Sequence, residues 1–302
     1  MKRLKKGLAC LLCLALLLPN VLWAVAEEPP LLIAEEGSGE SAEELLQESA
    51  DDVWLPADTV PTEAAALEVG GKSAILMDQT SGTVLFEKNA HEKLAIASVT
   101  KIMTLLLVME ALDQGRITLE DPVTCSDVAA SMGGSQIWLE PGEIMTVHEL
   151  LKAAAVVSAN DACAALAEHI SGSIEGFVSE MHTRAAELGM NDTLFLDCSG
   201  LSDDAYSSAY DVALMSRELM KHKKITEYTT IWMDTPRDGK SQLVNTNKLV
   251  RHYSGATGLK TGTTSKAGHC LSATAQRDGL ELVAVILGCE TTDERFGGAR
   301  KM

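Results

Sequence analysis

The chain has 302 residues and a formal net charge of −18, with 43 acidic against 25 basic side chains. A surface this acidic argues against nucleic acid as a partner. Apolar residues make up 46% of the sequence, which is ample for one large core or two lobes.

The N-terminus has the pattern of an export signal. Four basic residues precede the short apolar run at 8–18, and Ala24-Val25-Ala26 follows it as a small-x-small cleavage site. The run is too short to span a bilayer comfortably. We therefore expect residues 1–26 to be a cleaved signal peptide, with an uncleaved membrane anchor as the alternative.

The next segment, residues 27–70, is predicted to be an acidic disordered linker. Residues 27–69 contain thirteen acidic side chains, no Lys or Arg, and prolines at 29, 30, 56 and 61. One-signed charge and low apolar content do not repay the entropy of ordering. A spacer or a cation-binding tail is the functional alternative. The remaining part, residues 71–302, is predicted to fold as one domain.

Within that domain the pattern alternates between strands and helices. Runs at 73–79 and 83–88 around Thr80-Ser81-Gly82 predict a hairpin. Helical patterns follow at 98–112, 147–157, 161–170, 178–188 and 209–220. Two more strand-like runs, 269–276 and 280–287, lie around Arg277-Asp278-Gly279. Strands at both ends predict an α+β fold in which the terminal strands share one antiparallel sheet.

Five cysteines remain after the signal segment: Cys125, Cys163, Cys198, Cys270 and Cys289. None lies in a C-x-x-C pair or near a histidine at metal-ligand spacing, so neither zinc nor a redox motif is indicated. We expect most of them to be small buried apolar residues. No metal and no organic cofactor is predicted.

Ser98-Val99-Thr100-Lys101 is the first of three short strings that can carry chemistry. Lys101 follows Ser98 by three residues, which places both on one helix face. A serine needs a base to become a nucleophile, and a lysine in a dry pocket can be that base. The residues after Lys101 are almost all apolar, which predicts a buried helix. The alternative is a helix-capping serine followed by a solvent-exposed lysine.

Ser158-Ala159-Asn160 is the second string, between an apolar helix and the next one. Ser158 can relay a proton toward a leaving amine, and Asn160 can hold Lys101 and a substrate carbonyl. The alternative is a cap for the helix that starts at Asp161. The two interpretations can coexist, because a capping loop is a good place for functional groups.

Lys260-Thr261-Gly262 is the third string, near the start of the final strands. Lys260 and Thr261 supply donors suited to a terminal carboxylate, and Gly262 lets a ligand backbone approach a strand edge. The backbone amide of Thr263 can act with that of Ser98 as an oxyanion hole. Each string alone is weak, but the three in this order make chance improbable.

Over residues 72–302 the sequence resembles the low-molecular-mass penicillin-binding D-alanyl-D-alanine carboxypeptidases. The three strings and the stretches at 206–211 and 245–249 carry this resemblance. It implies a β-lactamase/transpeptidase-like fold, with helices packed on the sheet and a mostly helical lobe. It also implies a serine-type enzyme that removes the terminal D-alanine of peptidoglycan stem peptides through a Ser98 acyl-enzyme. β-Lactams would be covalent inhibitors, and Arg295 resembles an arginine that helps to receive the substrate carboxylate.

Three departures from the family pattern stand out. Ala159 replaces a glycine, and Thr263 stands where a histidine is common. The chain also stops at Met302, where family members continue into a β-rich second domain and an amphipathic membrane helix. We therefore expect a truncated catalytic domain, at 71–302, whose possible peripheral membrane anchor is missing. The expected location is the extracytoplasmic cell envelope, secreted or peripherally membrane-associated.

Three other functions stay open at the sequence level. A class A β-lactamase uses the same strings, but it needs a glutamate that residues 195–200 do not supply as Glu-x-x-Leu-Asn. An endopeptidase of the same family would cut cross-links instead of releasing D-alanine. An inactive penicillin-binding module is the third, although intact Ser98, Lys101 and Lys260 argue against it.

Overall fold

The computed structural model describes residues 31–32, 67–235 and 242–302. The predicted signal peptide at 1–26 and nearly all of the predicted linker at 27–70 lie outside the described residues. In the described part the strands are β1 (Leu31–Leu32), β2 (Ser73–Asp78), β3 (Val84–Lys88), β4 (Pro122–Thr124), β5 (Ile144–Thr146), β6 (Met233–Asp234), β7 (Gln242–Val244), β8 (Ala256–Thr264), β9 (Gly268–Arg277) and β10 (Leu280–Cys289). The α-helices are α1 (Lys101–Asp113), α2 (Asp127–Ala130), α3 (Val147–Val156), α4 (Asn160–Ser171), α5 (Ile174–Glu187), α6 (Ala209–Leu219), α7 (Thr226–Thr229), α8 (Leu249–His252) and α9 (Thr292–Lys301).

A five-stranded antiparallel sheet of order β3-β2-β10-β9-β8 joins the two ends of the described domain. The N-terminal hairpin pairs with the C-terminal strand β10 along the register Ser73↔Leu287 to Asp78↔Leu282. The prediction that the terminal strands share one antiparallel sheet is therefore confirmed. Helix α6 contacts β2 and β10, and α9 contacts β9 and β10. Strand β10 is buried from Val283 to Cys289, which explains its continuous apolar run.

Helix α1 is the centre of the helical lobe. Its residues from Lys101 to Met109 are all buried, and it packs against α3, α4, α5 and α6. A helix that is apolar on every side has no solvent face, so only a position inside the core suits it. The core thus fixes the start of α1, where Ser98 and Lys101 lie.

Three boundaries differ from the sequence-based expectation. The helix predicted from residue 98 begins as a 3₁₀ turn, Ala97–Thr100, and becomes α-helical only at Lys101. Helix α5 begins at Ile174, not at 178, because Ser173 caps its first turn through the amide of Gly176. The sequence pattern does not predict strand β8, because its Gly- and Thr-rich sequence lacks apolar alternation. This strand forms by pairing with β9.

The five cysteines that follow the predicted signal are all buried, as expected of small apolar residues. No helix in the described ranges is long and apolar enough to cross a membrane.

Arg184 on α5 ties three helices of the lobe together. Its Nε donates to Glu110 of α1 at 2.8 Å, and its Nη2 donates to Glu218 of α6 at 2.9 Å. The three side chains are each about one-fifth exposed or less. Loss of the guanidinium would leave two carboxylates in a partly dehydrated position, which costs more than loss of an exposed pair.

We expect Arg184→Met to lower the free energy of unfolding by about 2 kcal/mol, because Glu110 and Glu218 lose their shared cation. Urea unfolding followed by circular dichroism measures this change. Lys224→Met is the matched control, since the Lys224–Glu227 pair is exposed and should contribute less than about 0.5 kcal/mol. Equal effects of the two substitutions would contradict the assignment.

Candidate active site

Ser98 and Lys101 are in direct contact. Lys101 Nζ lies 2.9 Å from Ser98 Oγ and donates to the carbonyl of Ser199 at 2.7 Å. The 3₁₀ turn brings residues three apart onto one side, which is why the pair meets. Lys101 is fully buried, so the alternative of a solvent-exposed lysine is wrong.

Lys101 on α1 and Lys260 on β8 both act electrostatically on a buried cysteine of α4. Burial raises the pKa of the Cys163 thiol on this helix to about 11, and the charges of Lys101 and Lys260 act against that rise. Lys260 is also buried, and its Nζ donates to the carbonyl of Thr261 at 2.9 Å.

Ser158 is held in an uncommon conformation directly after α3. Its φ is +64°, in the left-handed region that is uncommon for residues other than glycine. The residue is fully buried, and within the described part of the chain its Oγ has no hydrogen-bond partner. Strained backbone and an unsatisfied buried hydroxyl are features that cluster at functional sites.

Asn160 is the first residue of α4 and is tied to the preceding loop. Its Nδ2 donates to the carbonyl of Gly133 at 2.7 Å, and its backbone N–H donates to that of Ser135 at 2.7 Å. Ala159 occupies the N-cap, and no side chain caps this helix. The capping alternative for the second string is therefore wrong. Among the described residues the Asn160 Oδ1 atom has no partner and is buried.

Gly262 on β8 lies against the Ser98 turn. A Cβ at this position would be 2.7 Å from the carbonyl oxygen of Ile96 and 2.9 Å from the backbone nitrogen of Ser98. The sequence pattern predicts that the missing side chain of Gly262 lets a ligand backbone approach. In the structure the space beside Gly262 is instead filled by the Ser98 turn. The contact still brings β8 beside Ser98, and β8 is an edge strand of the sheet. The neighbouring Thr261 Oγ1 donates to Thr246 Oγ1 at 2.7 Å.

Arg295 reaches the same strand from α9. It is buried, its Nη1 donates to Thr263 Oγ1 at 3.1 Å, and its guanidinium lies 4.9 Å from the ring centre of Phe296. Sequence resemblance alone pointed to Arg295, because more than thirty residues separate it from the Lys260 string. The sheet and α9 bring the two together.

The loop at 197–202 completes the surroundings of Ser98 and was missed at the sequence level. Ser199 supplies the carbonyl that accepts from Lys101. Gly200 has φ +82°, and a Cβ there would lie 1.9 Å from the carbonyl oxygen of Ala97. The string Asp197-Cys198-Ser199-Gly200 could have predicted this loop, because Asp followed by Ser and Gly is typical of a turn in which the Asp side chain accepts from the backbone.

The structure thus places a serine hydroxyl in contact with a buried amine, on a turn that lies beside the edge strand β8. This set is suited to nucleophilic acyl transfer. In the ranges that the structure describes there is no group of three or more metal-ligating side chains.

Comparison with known proteins gives matches across the folded part. A family model described as D-alanyl-D-alanine carboxypeptidase, Peptidase S11, matches residues 59–291. The chain is 51% identical over 235 residues to D-alanyl-D-alanine carboxypeptidase DacF of Bacillus subtilis (strain 168). That match covers 76% of this chain and 60% of DacF, so the chain spans about three fifths of this relative.

Solved structures agree on the fold. Penicillin binding protein 6B from Escherichia coli superposes with a TM-score of 0.75 at 34% identity, covering 80% of this chain and 79% of that one. The ampicillin-bound form of Penicillin-Binding Protein D2 from Listeria monocytogenes gives 0.68 at 31% identity, covering 78% and 97%. The expected β-lactamase/transpeptidase-like fold is thereby confirmed. The chain belongs to the D-alanyl-D-alanine carboxypeptidase family, peptidase family S11.

Proposed function

We propose that the protein is a serine-type D-alanyl-D-alanine carboxypeptidase that removes the terminal D-alanine from peptidoglycan stem peptides. The observation that carries the proposal is the 2.9 Å contact between Ser98 Oγ and the buried Nζ of Lys101. Membership of the family and the relative DacF, named for this activity, support it.

The first half of the reaction forms the acyl-enzyme. Ser98 Oγ bonds to the carbonyl carbon of the penultimate D-alanine as its proton passes to Lys101 Nζ. The backbone amides of Ser98 and Thr263 stabilise the oxyanion. Ser158 relays this proton from Lys101 to the departing nitrogen, giving up its own proton and taking that of Lys101; the C–N bond breaks and free D-alanine leaves. Among the described residues Ser158 Oγ has no hydrogen-bond partner, which supports this role because the hydroxyl is available to a leaving group.

Recognition of the substrate uses the cationic edge of the sheet. Lys260, Thr261 and Arg295 bind the terminal carboxylate, which selects a chain end over an internal peptide. Asn160 holds the carbonyl of the preceding residue through its side-chain amide, and Gly262 keeps β8 close to Ser98. The contact between Arg295 and Thr263 supports this division of roles.

The second half releases the stem peptide. Water attacks the ester carbonyl, the Ser98 alkoxide leaves, and a proton returns to Ser98 Oγ through Lys101. β-Lactams enter the first half as covalent inhibitors, because their ring amide resembles the cleaved one. The ampicillin-bound form of the Listeria homologue supports this proposal.

We also propose the division of the chain into a signal peptide at 1–26, an acidic linker at 27–70 and a catalytic domain at 71–302. On this proposal the enzyme acts outside the cytoplasm, where stem peptides are found. The basic and apolar pattern of the first residues supports it.

Covalent labelling tests the assignment of the nucleophile and the base. We expect labelled penicillin to attach to the peptide that contains Ser98, and Ser98→Ala to abolish the adduct. Lys101→Met should slow acylation by about 10²–10⁴-fold, because the serine loses its base. Peptide mass mapping identifies the labelled residue, and labelling quenched at successive times measures the acylation rate. Lys224→Met is the control with an exposed lysine, and labelling at a site other than Ser98 would contradict the proposal.

Product analysis separates the carboxypeptidase from an endopeptidase. We expect free D-alanine to be released from a stem peptide that ends in D-Ala-D-Ala, because the cationic strand selects the terminal carboxylate. The same peptide with an amidated C-terminus should react at least about tenfold more slowly. D-Alanine is measured with D-amino acid oxidase. Cleavage of a cross-linked dimer without release of D-alanine from the monomer would instead favour the endopeptidase.

A further inference from the structure

Asp197 is a partly buried carboxylate close to the site that the proposed reaction does not use. Five donors from its own loop surround it, at 2.5–3.3 Å. They are the backbone N–H groups of Ser199, Gly200, Leu201 and Ser202 and the hydroxyl of Ser199. Burial raises the pKa of the Asp197 carboxyl, but these hydrogen bonds outweigh it and leave the pKa below its ordinary value. Asp197 is therefore ionised at neutral pH.

One peptide group connects this carboxylate to Lys101. The N–H of Gly200 donates to Asp197 Oδ1 at 2.5 Å, and the C=O of the same peptide unit, from Ser199, accepts from Lys101 Nζ at 2.7 Å. A hydrogen bond at one end of a peptide group polarises it and strengthens the bond at the other end. The negative charge of Asp197 thus acts on the amine of Lys101 through the Ser199–Gly200 peptide.

The same loop also contacts the nucleophile turn. Gly200 leaves no space for a side chain, because a Cβ would lie 1.9 Å from the carbonyl oxygen of Ala97 and 3.0 Å from the nitrogen of Ser98. A second tie comes from Thr104 of α1, whose Oγ1 donates to the carbonyl of Cys198 at 2.6 Å. The loop that Asp197 closes therefore contacts the chain on both sides of Lys101, at the 3₁₀ turn before it and at α1 after it.

We propose that Asp197 is a positioning residue for the Ser98–Lys101 pair, acting through the Ser199–Gly200 peptide group. The inference rests on the proposed acyl-transfer function. Asp197 neither touches substrate nor activates water: it fixes where the amine of Lys101 lies and how strongly that amine holds its proton.

The charges around Lys101 give the sign of the expected effect. The Cys163 thiol of α4 is influenced by Lys101 itself, by Lys260 on β8, and by the carboxylates of Asp161 and Asp197. The thiols of Cys163 and Cys198 also face this region, and burial raises the pKa of each, so both are neutral. Loss of the Asp197 charge removes a negative neighbour from Lys101. The amine then gives up its proton more readily, and the acid limb of the acylation profile moves to lower pH.

The test measures the second-order rate constant of Ser98 acylation by labelled penicillin between pH 5 and 10. For Asp197→Asn we expect a maximal rate roughly tenfold lower, since a charge-assisted hydrogen-bond network is lost. We also expect the acid limb of the rate–pH profile to move to lower pH by about 0.5 unit or more. Asp197→Ser keeps an acceptor for the turn without the charge, and it should show the same displacement of the limb. Urea unfolding of each variant identifies those that fold.

Two matched controls separate positioning from stability alone. Asp211→Asn removes a different, buried carboxylate, which accepts from the backbone of Asp192 and the hydroxyl of Thr193. Thr104→Val removes the neighbouring tie to the loop but keeps the charge. Both should lower stability without moving the acid limb.

A folded Asp197 variant with a wild-type rate and pH profile would overturn the inference. So would normal acylation with an altered adduct lifetime, because Asp197 would then act on the deacylating water. Failure of the wild-type protein to form a Ser98 adduct is a different result. It would overturn the proposed function itself.

Discussion

The burial of Lys101 is the constraint on which the rest of the site depends. An amine removed from water is costly unless it has hydrogen-bond partners, and the hydroxyl of Ser98 and the carbonyl of Ser199 accept from it. Burial follows from α1, which is apolar on all sides and can only lie inside the helical lobe. The packing that stabilises the domain thus also holds the base in a dry position against the nucleophile, where a lysine can act as a base.

Two glycines allow this arrangement to close. Gly200 in the 197–202 loop and Gly262 in β8 both lie against the backbone around Ala97 and Ser98. A side chain at either position would overlap main-chain atoms. The turn that carries Ser98 is consequently enclosed between the 197–202 loop and β8. Such a clamp limits the motion of the nucleophile, which favours catalysis by positioning.

Sequence reasoning predicted the contacts of the site that lie within a single short string of residues. The pairing of Ser98 with Lys101 and the shared terminal sheet follow from spacing and pattern, and the structure confirms both. Sequence reasoning could not predict the contacts that long-range packing makes. The loop at 197–202 meets Lys101 across about a hundred residues of sequence, and no periodicity reports such a meeting. Likewise, the role of Gly262 depends on which neighbour takes its space, and that neighbour is the Ser98 turn.

Asp197 also bears on how this site differs from a β-lactamase. A carboxylate that activates water needs a free lone pair directed at that water. In the described structure Oδ1 of Asp197 accepts from Ser199, Gly200 and Leu201, and Oδ2 accepts from Ser202. These hydrogen bonds stabilise the ionised carboxylate and keep its pKa below the ordinary value, so Asp197 is a weak general base. On the proposed function, deacylation therefore depends on Lys101 and on whatever water reaches the ester. An enzyme of this kind would hold a β-lactam adduct longer than one with a dedicated glutamate.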